Sequence, residues 1–166
     1  MAVTSIWPVK SRLDHVINYA RNPAKTRERS LVAQASLHAI DNVIEYAADT
    51  IKTEERAYVS CLNCREDDAA AQMMETKRYW GKPDGRLCFH GYQSFAAGEV
   101  TAETAHAIGV KLAEELWGER FEVVIATHCN TGHYHNHFVI NSVSFVHGRR
   151  CRQTKWRELK EVSDEI

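Results

Sequence analysis

Four of the chain's nine histidines fall within one short stretch: His128, His133, His135 and His137. Side chains alternate across an extended strand, so His133, His135 and His137 would share one face. Three neighbouring imidazoles make a poor core and a good cage for a divalent ion. The cluster runs directly into Phe138-Val139-Ile140, so it belongs to the fold and not to an appended tag. The turn residues Asn130-Thr131-Gly132 bring His128, at the end of one strand, beside the histidines of the next. His128, His135 and His137 are the favoured ligands, with His133 as the alternative or a fourth. Three imidazoles leave coordination positions open, as in a catalytic site, and an ion held there can polarise a phosphoryl oxygen.

Breaking a phosphodiester also needs a nucleophile, either water or a side chain. A tyrosine would keep the bond energy in a phosphotyrosine for later rejoining. Tyr19 leads. On a helix capped by Ser11 with the apolar stripe Leu13, Val16, Ile17 and Ala20, it stands roughly 120° from the stripe's centre. A basic loop follows it. Tyr46 passes the same test, and periodicity alone does not choose between them. His90 shares the polar side of its strand with Tyr92 and Ser94. It is a candidate for proton transfer or a phosphate contact, and equally an ordinary half-buried histidine.

At 166 residues the chain is one domain with room for a sizeable core. No apolar run is long enough for a membrane span and no signal-peptide pattern opens it. Five cysteines cannot all pair with one another, so reduced thiols and a cytoplasmic setting are expected. Cys61-x-x-Cys64 has no matching second pair and reads as structural. The net charge of −1 excludes a generic polyanion binder. Charge is uneven, however: Arg21 to Arg29 carries four basic residues against one acid, and Arg149 to Lys160 six against one. Arg21, Lys25, Arg27, Arg149, Arg150, Arg152 and Lys155 are therefore candidate contacts to a phosphate backbone.

The elements that must position these groups follow from periodicity and turn residues. Thr4 to Val9 reads as a strand broken at Pro8, and Ser11 opens the helix that ends at Asn22-Pro23. Leu37 to Ile51 is a second helix, Ala57 to Leu62 a strand and Asp67 to Trp80 a helix stopped by the Gly81 to Gly85 turn. Leu87 to Phe95 alternates as a strand, Thr101 caps a helix, and Phe121 to His128 leads into the histidine strand. Trp156 to Ile166 reads as a helix still running at the last residue. The order predicts an α+β fold: a mainly antiparallel sheet of about five strands with helices on one face.

Three segments resemble the nuclease domain of relaxases, the HUH endonucleases that nick DNA in conjugation. The branch is that of mobilisation proteins from Gram-positive conjugative transposons. They are Ser5-Ile-Trp-Pro-Val-Lys with Val16-Ile-Asn-Tyr19-Ala-Arg-Asn-Pro-Ala-Lys-Thr26; Phe89-His-Gly-Tyr-Gln-Ser-Phe95 with Gly98-Glu-Val-Thr101; and Ala126-Thr-His128 through His135-Asn-His137-Phe-Val-Ile-Asn141. The likeness runs from about Ser5 to Ile166. It differs from the family pattern at Asn136, which stands where a hydrophobic residue is usual, and at Asn130, where many relatives have aspartate.

The resemblance implies Tyr19 as nucleophile and His128, His135 and His137 as ligands of one divalent ion, Mn²⁺ or Mg²⁺ first, with Zn²⁺, Ni²⁺ or Co²⁺ behind. It implies single-stranded or hairpin origin-of-transfer DNA as substrate, nicked through a 5′-phosphotyrosine link. An accessory mobilisation protein and a coupling ATPase are its implied partners. The chain would then be the N-terminal part, residues 1–166, of a longer protein. Two other readings use the same residues. One is a metallohydrolase whose histidines activate water, with Tyr19 a bystander; the other is a non-catalytic single-stranded-DNA-binding module.

Overall fold

The computed structural model describes residues 2–10, 28–48, 58–129, 133–152 and 160–163. Five strands form one sheet: β1 (Val3–Lys10), β2 (Val59–Leu62), β3 (Arg86–Ser94), β4 (Val123–His128) and β5 (His135–Asn141). Their order is β1-β3-β5-β4-β2, and every neighbouring pair is antiparallel. The described residues also include the helices α1 (Glu28–Ala47), α2 (Ala69–Tyr79) and α3 (Ala102–Ala113). A π-helical turn, Glu114–Gly118, extends α3.

The α+β class and the five-stranded antiparallel sheet match the expectation from sequence. The layering does not. Helices cover both faces of the sheet, not one. Ile40, Ile44 and Ala47 of α1 and Met73 and Met74 of α2 pack with Cys88, Val124, Ala126 and Val139. Leu112, Leu116 and Trp117 pack with Phe89, Val123, Ile125, Phe138 and Ile140. These strand residues alternate, so the two clusters lie on opposite faces. The apolar stripe of an amphipathic helix says that it is buried, not against which side.

Local chemistry explains most boundaries. Thr101 caps α3, its hydroxyl accepting from the Thr104 backbone N–H at 3.1 Å. β1 continues through Pro8, where the sequence suggested a break. An outer strand tolerates a proline because one side of its backbone makes no ladder bonds, and β1 is the outer strand beside β3. Helix α1 begins well before Leu37, at Glu28, and runs to Ala47; residues 49–51 lie outside the described residues. The turn at His147-Gly148 needs its glycine: φ there is +65°, and a Cβ would strike the Trp80 ring. Residues 160–163 are helical, and Val162 joins the cluster under α3. The helix expected from Ser11, the turn from Asn130 to Gly132 and most of the C-terminal helix lie outside the described residues.

Candidate functional site

Strand register brings the histidines together. His128 pairs directly with His135, and Ala126 with His137, across β4 and β5. Directly paired residues share a face, so His128, His135 and His137 all point to the side covered by α1. On the other flank of β5, Tyr92 of β3 pairs with His137, and His90 follows two residues away on the same face. Three adjacent strands thus each supply an imidazole. The centroids of His128 and His137 are 4.0 Å apart, and those of His90 and His137 5.2 Å. His90 Nε2 and His137 Nδ1 share a hydrogen bond of 3.0 Å.

Tyr46 completes the cluster. It lies in the last turn of α1, is 54% exposed, and its ring stands 6.1 Å from each of His90, His128 and His137, edge-on to all three. The end of α1 is tied to the site beneath it: His128 Nε2 donates to the Ala47 carbonyl at 2.7 Å. Trp7 of β1 closes the other side, 4.9 Å from His90 and 5.9 Å from Tyr92. It is 40% exposed, and an accessible indole beside a phosphate site offers a stacking surface for an unpaired base. Sequence reasoning passed over Trp7 because its neighbours on β3 come from a pairing some eighty residues distant.

The electrostatics favour neutral rings. Burial, and then the charge of His128, pulls the His90 imidazole down to about 4. His135 is also lowered, by burial and then by His133. Neutral imidazole is the form that binds metal. The donor set fits an ion in another respect. A carbonyl only accepts, so His128 Nε2 carries the proton, and in the neutral ring Nδ1 carries the lone pair. An imidazole held through one nitrogen by a backbone carbonyl is a usual arrangement around a metal. No group of three His, Cys, Asp or Glu side chains among the described residues converges as a ready metal set.

Directly behind this site, on the opposite face, a second polar cluster uses the intervening residues of the same strands. Thr127 and Asn136 are paired across β4 and β5, and Gln93 pairs with Asn136 from β3. Asn136 accepts from the Thr127 hydroxyl at 2.6 Å and donates to Gln93 Oε1 at 3.0 Å and to the Ala105 carbonyl at 2.6 Å. His106 bridges Thr127 and Ser60, both at 2.8 Å; Gln93 donates to Ser163. This is why position 136 is not hydrophobic: its side chain points away from the imidazoles, into a buried chain of hydrogen bonds. Helix α3 approaches so closely that a Cβ on Gly109 would lie 2.5 Å from Asn136 Nδ2.

The basic residues divide in the same manner. Arg149, Arg150 and Arg152 line a groove of about 930 Å³ with Lys82, Arg86 and Arg120, floored by Trp117 and Phe121. It lies at the other end of the strands: Arg86 is four residues from His90 and Phe121 seven from His128, roughly 13 and 23 Å along the chain. Among these cations Arg150 has a carboxylate nearby, Asp84 at 3.8 Å. Cys61 and Cys64 sit under α1; the Cys64 thiol is pushed far up by its hydrogen bond to Cys61 and by burial, consistent with a structural pair. Tyr19, Arg21, Lys25, Arg27, Asn130 and Lys155 lie outside the described residues.

The chain matches the model of the family described as "Relaxase: MobA/VirD2-like, nuclease domain" over residues 46–166, a span that opens on Tyr46. It is 38% identical over 109 residues to Protein rlx of Staphylococcus aureus, covering 64% of this chain and 34% of that protein. It is 32% identical over 145 residues to the group II intron-interrupted relaxase LtrB of Lactococcus lactis subsp. cremoris, covering 85% of this chain and 25% of that protein. The matches thus span about a third and a quarter of those relatives' lengths. With the family match covering most of its length, this chain belongs to the MobA/VirD2-like relaxase nuclease-domain family.

Proposed function

We propose that the domain nicks one strand of an origin of transfer and carries it as a 5′-phosphotyrosine, the step that begins mobilisation of a genetic element. The carrying observation is three imidazoles on three adjacent strands with a phenol ring 6.1 Å from each. The substrate is single-stranded or hairpin origin DNA. An accessory mobilisation protein and a coupling ATPase are its partners, and the reaction takes place in the cytoplasm. No helix among the described residues is long and apolar enough to cross a membrane.

His128, His135 and His137 hold one divalent ion, with His133 as alternative or fourth ligand; Mn²⁺ or Mg²⁺ leads, and Zn²⁺, Ni²⁺ or Co²⁺ follow. When bound, the ion withdraws charge from the scissile phosphate. His90 holds the His137 ring through their hydrogen bond and stands where it can touch the phosphate or carry a proton. Tyr19, made the leading nucleophile by the motif resemblance, attacks phosphorus; Tyr46, whose ring stands over the imidazoles, is the runner-up for that role. The P–O3′ bond breaks and a 3′-hydroxyl leaves. Reversal rejoins the strand, because one phosphodiester has been exchanged for another of similar energy. Trp7 stacks an unpaired base beside the break. The arginine groove, with Arg21, Lys25, Arg27 and Lys155, tracks the phosphates on either side.

The test is incubation with origin-containing single strands and Mn²⁺, followed by denaturing electrophoresis. An adduct that survives denaturation is expected. Cleavage without an adduct would replace this reading with a water-using metallohydrolase. Binding without cleavage would leave a DNA-binding module.

A further inference from the structure

Neither the histidine face nor the buried polar network uses Cys61-x-x-Cys64. Cys61 is the third residue of β2, an outer strand of the sheet, and Cys64 lies just past its end. Leu62 is extended, and Asn63 follows with a φ of +60°. An extended residue and then a left-handed one is the pair of conformations that makes a type II turn, and asparagine tolerates the second place. Such a turn brings its first and fourth Cα atoms within about 7 Å, the range a disulfide spans. Asn63 Nδ2 secures it, donating to the carbonyls of Gly118 at 2.6 Å and Phe121 at 2.9 Å.

The two sulfurs face one another. Their thiols share a hydrogen bond, which together with burial pushes the Cys64 thiol far up; Cys64 Sγ also lies 3.8 Å from the Val123 carbonyl. The pair's proton therefore stays on Cys64, and Cys61 is the sulfur left to act as thiolate. That asymmetry suits exchange, in which one sulfur of a Cys-x-x-Cys pair attacks and the other resolves. Neither is in a disulfide, and both are half-buried at the sheet edge, within reach of a small reactant. Cys88 is the contrast: it is wholly buried, and burial raises its thiol to about 12. Packing accounts for Cys88. It does not account for two hydrogen-bonded sulfurs at an accessible edge.

We propose that Cys61 and Cys64 form a reversible dithiol–disulfide site, in which Cys61 attacks a small disulfide such as that of glutathione and Cys64 resolves the adduct. The site is independent of the nicking reading. In the first step the Cys61 sulfur bonds to one sulfur of glutathione disulfide and the old S–S bond breaks. The glutathione thiolate that leaves takes up the proton Cys61 lost. Cys64 then gives up its proton as its sulfur attacks Cys61, and the second glutathione leaves with that proton. Two protein thiols are oxidised to one disulfide, and one glutathione disulfide is reduced to two thiols. In a reducing compartment the dithiol persists. An oxidising shift closes the bond across the turn that Asn63 already holds.

The test equilibrates the whole chain, and separately a peptide of residues 58–66, with glutathione buffers of rising disulfide content. Acid quenching, alkylation and peptide mass mapping then read each cysteine. The chain should lose two hydrogens in the fragment holding Cys61 and Cys64. It should do so at a disulfide proportion about tenfold or more below that needed by the short peptide, because the fold holds the thiols together. Cys64→Ser should stop with one glutathione on Cys61, and Cys61→Ser should carry far less on Cys64. Closing so short a loop should raise the melting temperature by a few degrees. The proposal is overturned if the chain needs as much disulfide as the peptide or more, or if oxidation lowers the melting temperature. It is also overturned if Cys64→Ser takes less glutathione on Cys61 than Cys61→Ser takes on Cys64. The comparison of chain with peptide uses no variant, so it stands whatever the serine substitutions do to folding.

Discussion

The two faces of the central strands carry two polar clusters built from alternate residues of the same sequence. On one face stand His90, His128 and His137; on the other stand Gln93, Thr127 and Asn136. The second set is fully buried, and its members spend their hydrogen bonds on one another, on Ser163 and on the Ala105 carbonyl. The first set lies below a half-exposed phenol, and burial favours the neutral form of its His90 ring. A closed network fixes register and specifies the pairing of β3, β5 and β4. The cluster beneath the exposed phenol is the one proposed to do the chemistry. Polar residues in strands are thus sorted by what they have left to bind.

That contrast can be broken most severely at His137. His137→Ala should reduce adduct formation on the order of 10³-fold, as loss of a preorganised charge-stabilising group does, with the melting temperature little changed. The opposite pattern is expected one residue away. Asn136→Leu, though it restores a hydrophobic residue between the histidines, strands the Thr127 hydroxyl and the Gln93 carbonyl. It should cost roughly 2–4 kcal/mol of stability in urea titration. Gly109→Ala, pressing a methyl group onto Asn136, should cost about 1–3 kcal/mol. His90→Phe tests the middle ground: holding His137 from behind, its loss should weaken Mn²⁺ binding roughly 10–100-fold by calorimetry.

Smaller effects are expected outside both clusters. Arg149→Ala and Arg152→Ala should each weaken single-strand binding without abolishing the adduct at saturation, and each should flatten the salt dependence by about one unit of slope. A last prediction concerns Lys77, fully buried and bonded to Ser142 and the Arg86 carbonyl. Burial lowers its ammonium to about 7 from 10.5. Between those values the unfolded chain binds the extra proton, so this lysine makes stability rise as pH rises from about 7 towards 10.5; below 7 both states hold the proton and the penalty is complete. Lys77→Met should flatten that rise in denaturation midpoints compared at pH 7 and 9.

Much of this was legible in the sequence, and the limits have physical causes. The histidine run, its hairpin and the neighbouring His128 depend on local spacing, and the register sets them on one face. His90 could be marked as facing the polar side of its strand, but its bond to His137 depends on the non-local pairing of β3 with β5. Trp7 was hidden for the same reason, since it meets His90 only through β1. Asn136 looked like a flaw in the motif because its partners, Gln93 and Ala105, lie more than thirty residues upstream. The helices were assigned to one face because an apolar stripe records burial without direction. Periodicity left Tyr19 and Tyr46 equal; the fold sets the Tyr46 ring beside the imidazoles, while Tyr19 lies outside the described residues.

The most direct measurement compares the yield of covalent DNA–protein adduct per folded molecule in wild type, His137→Ala and Gly109→Ala, with Mn²⁺ and with chelator. Gly109→Ala should react at the wild-type rate once corrected for unfolded protein, while His137→Ala and the chelated wild type should form adduct on the order of 10³-fold less. A folded His137→Ala protein that still links to DNA at the wild-type yield would contradict the assignment of the chemistry to the imidazole face.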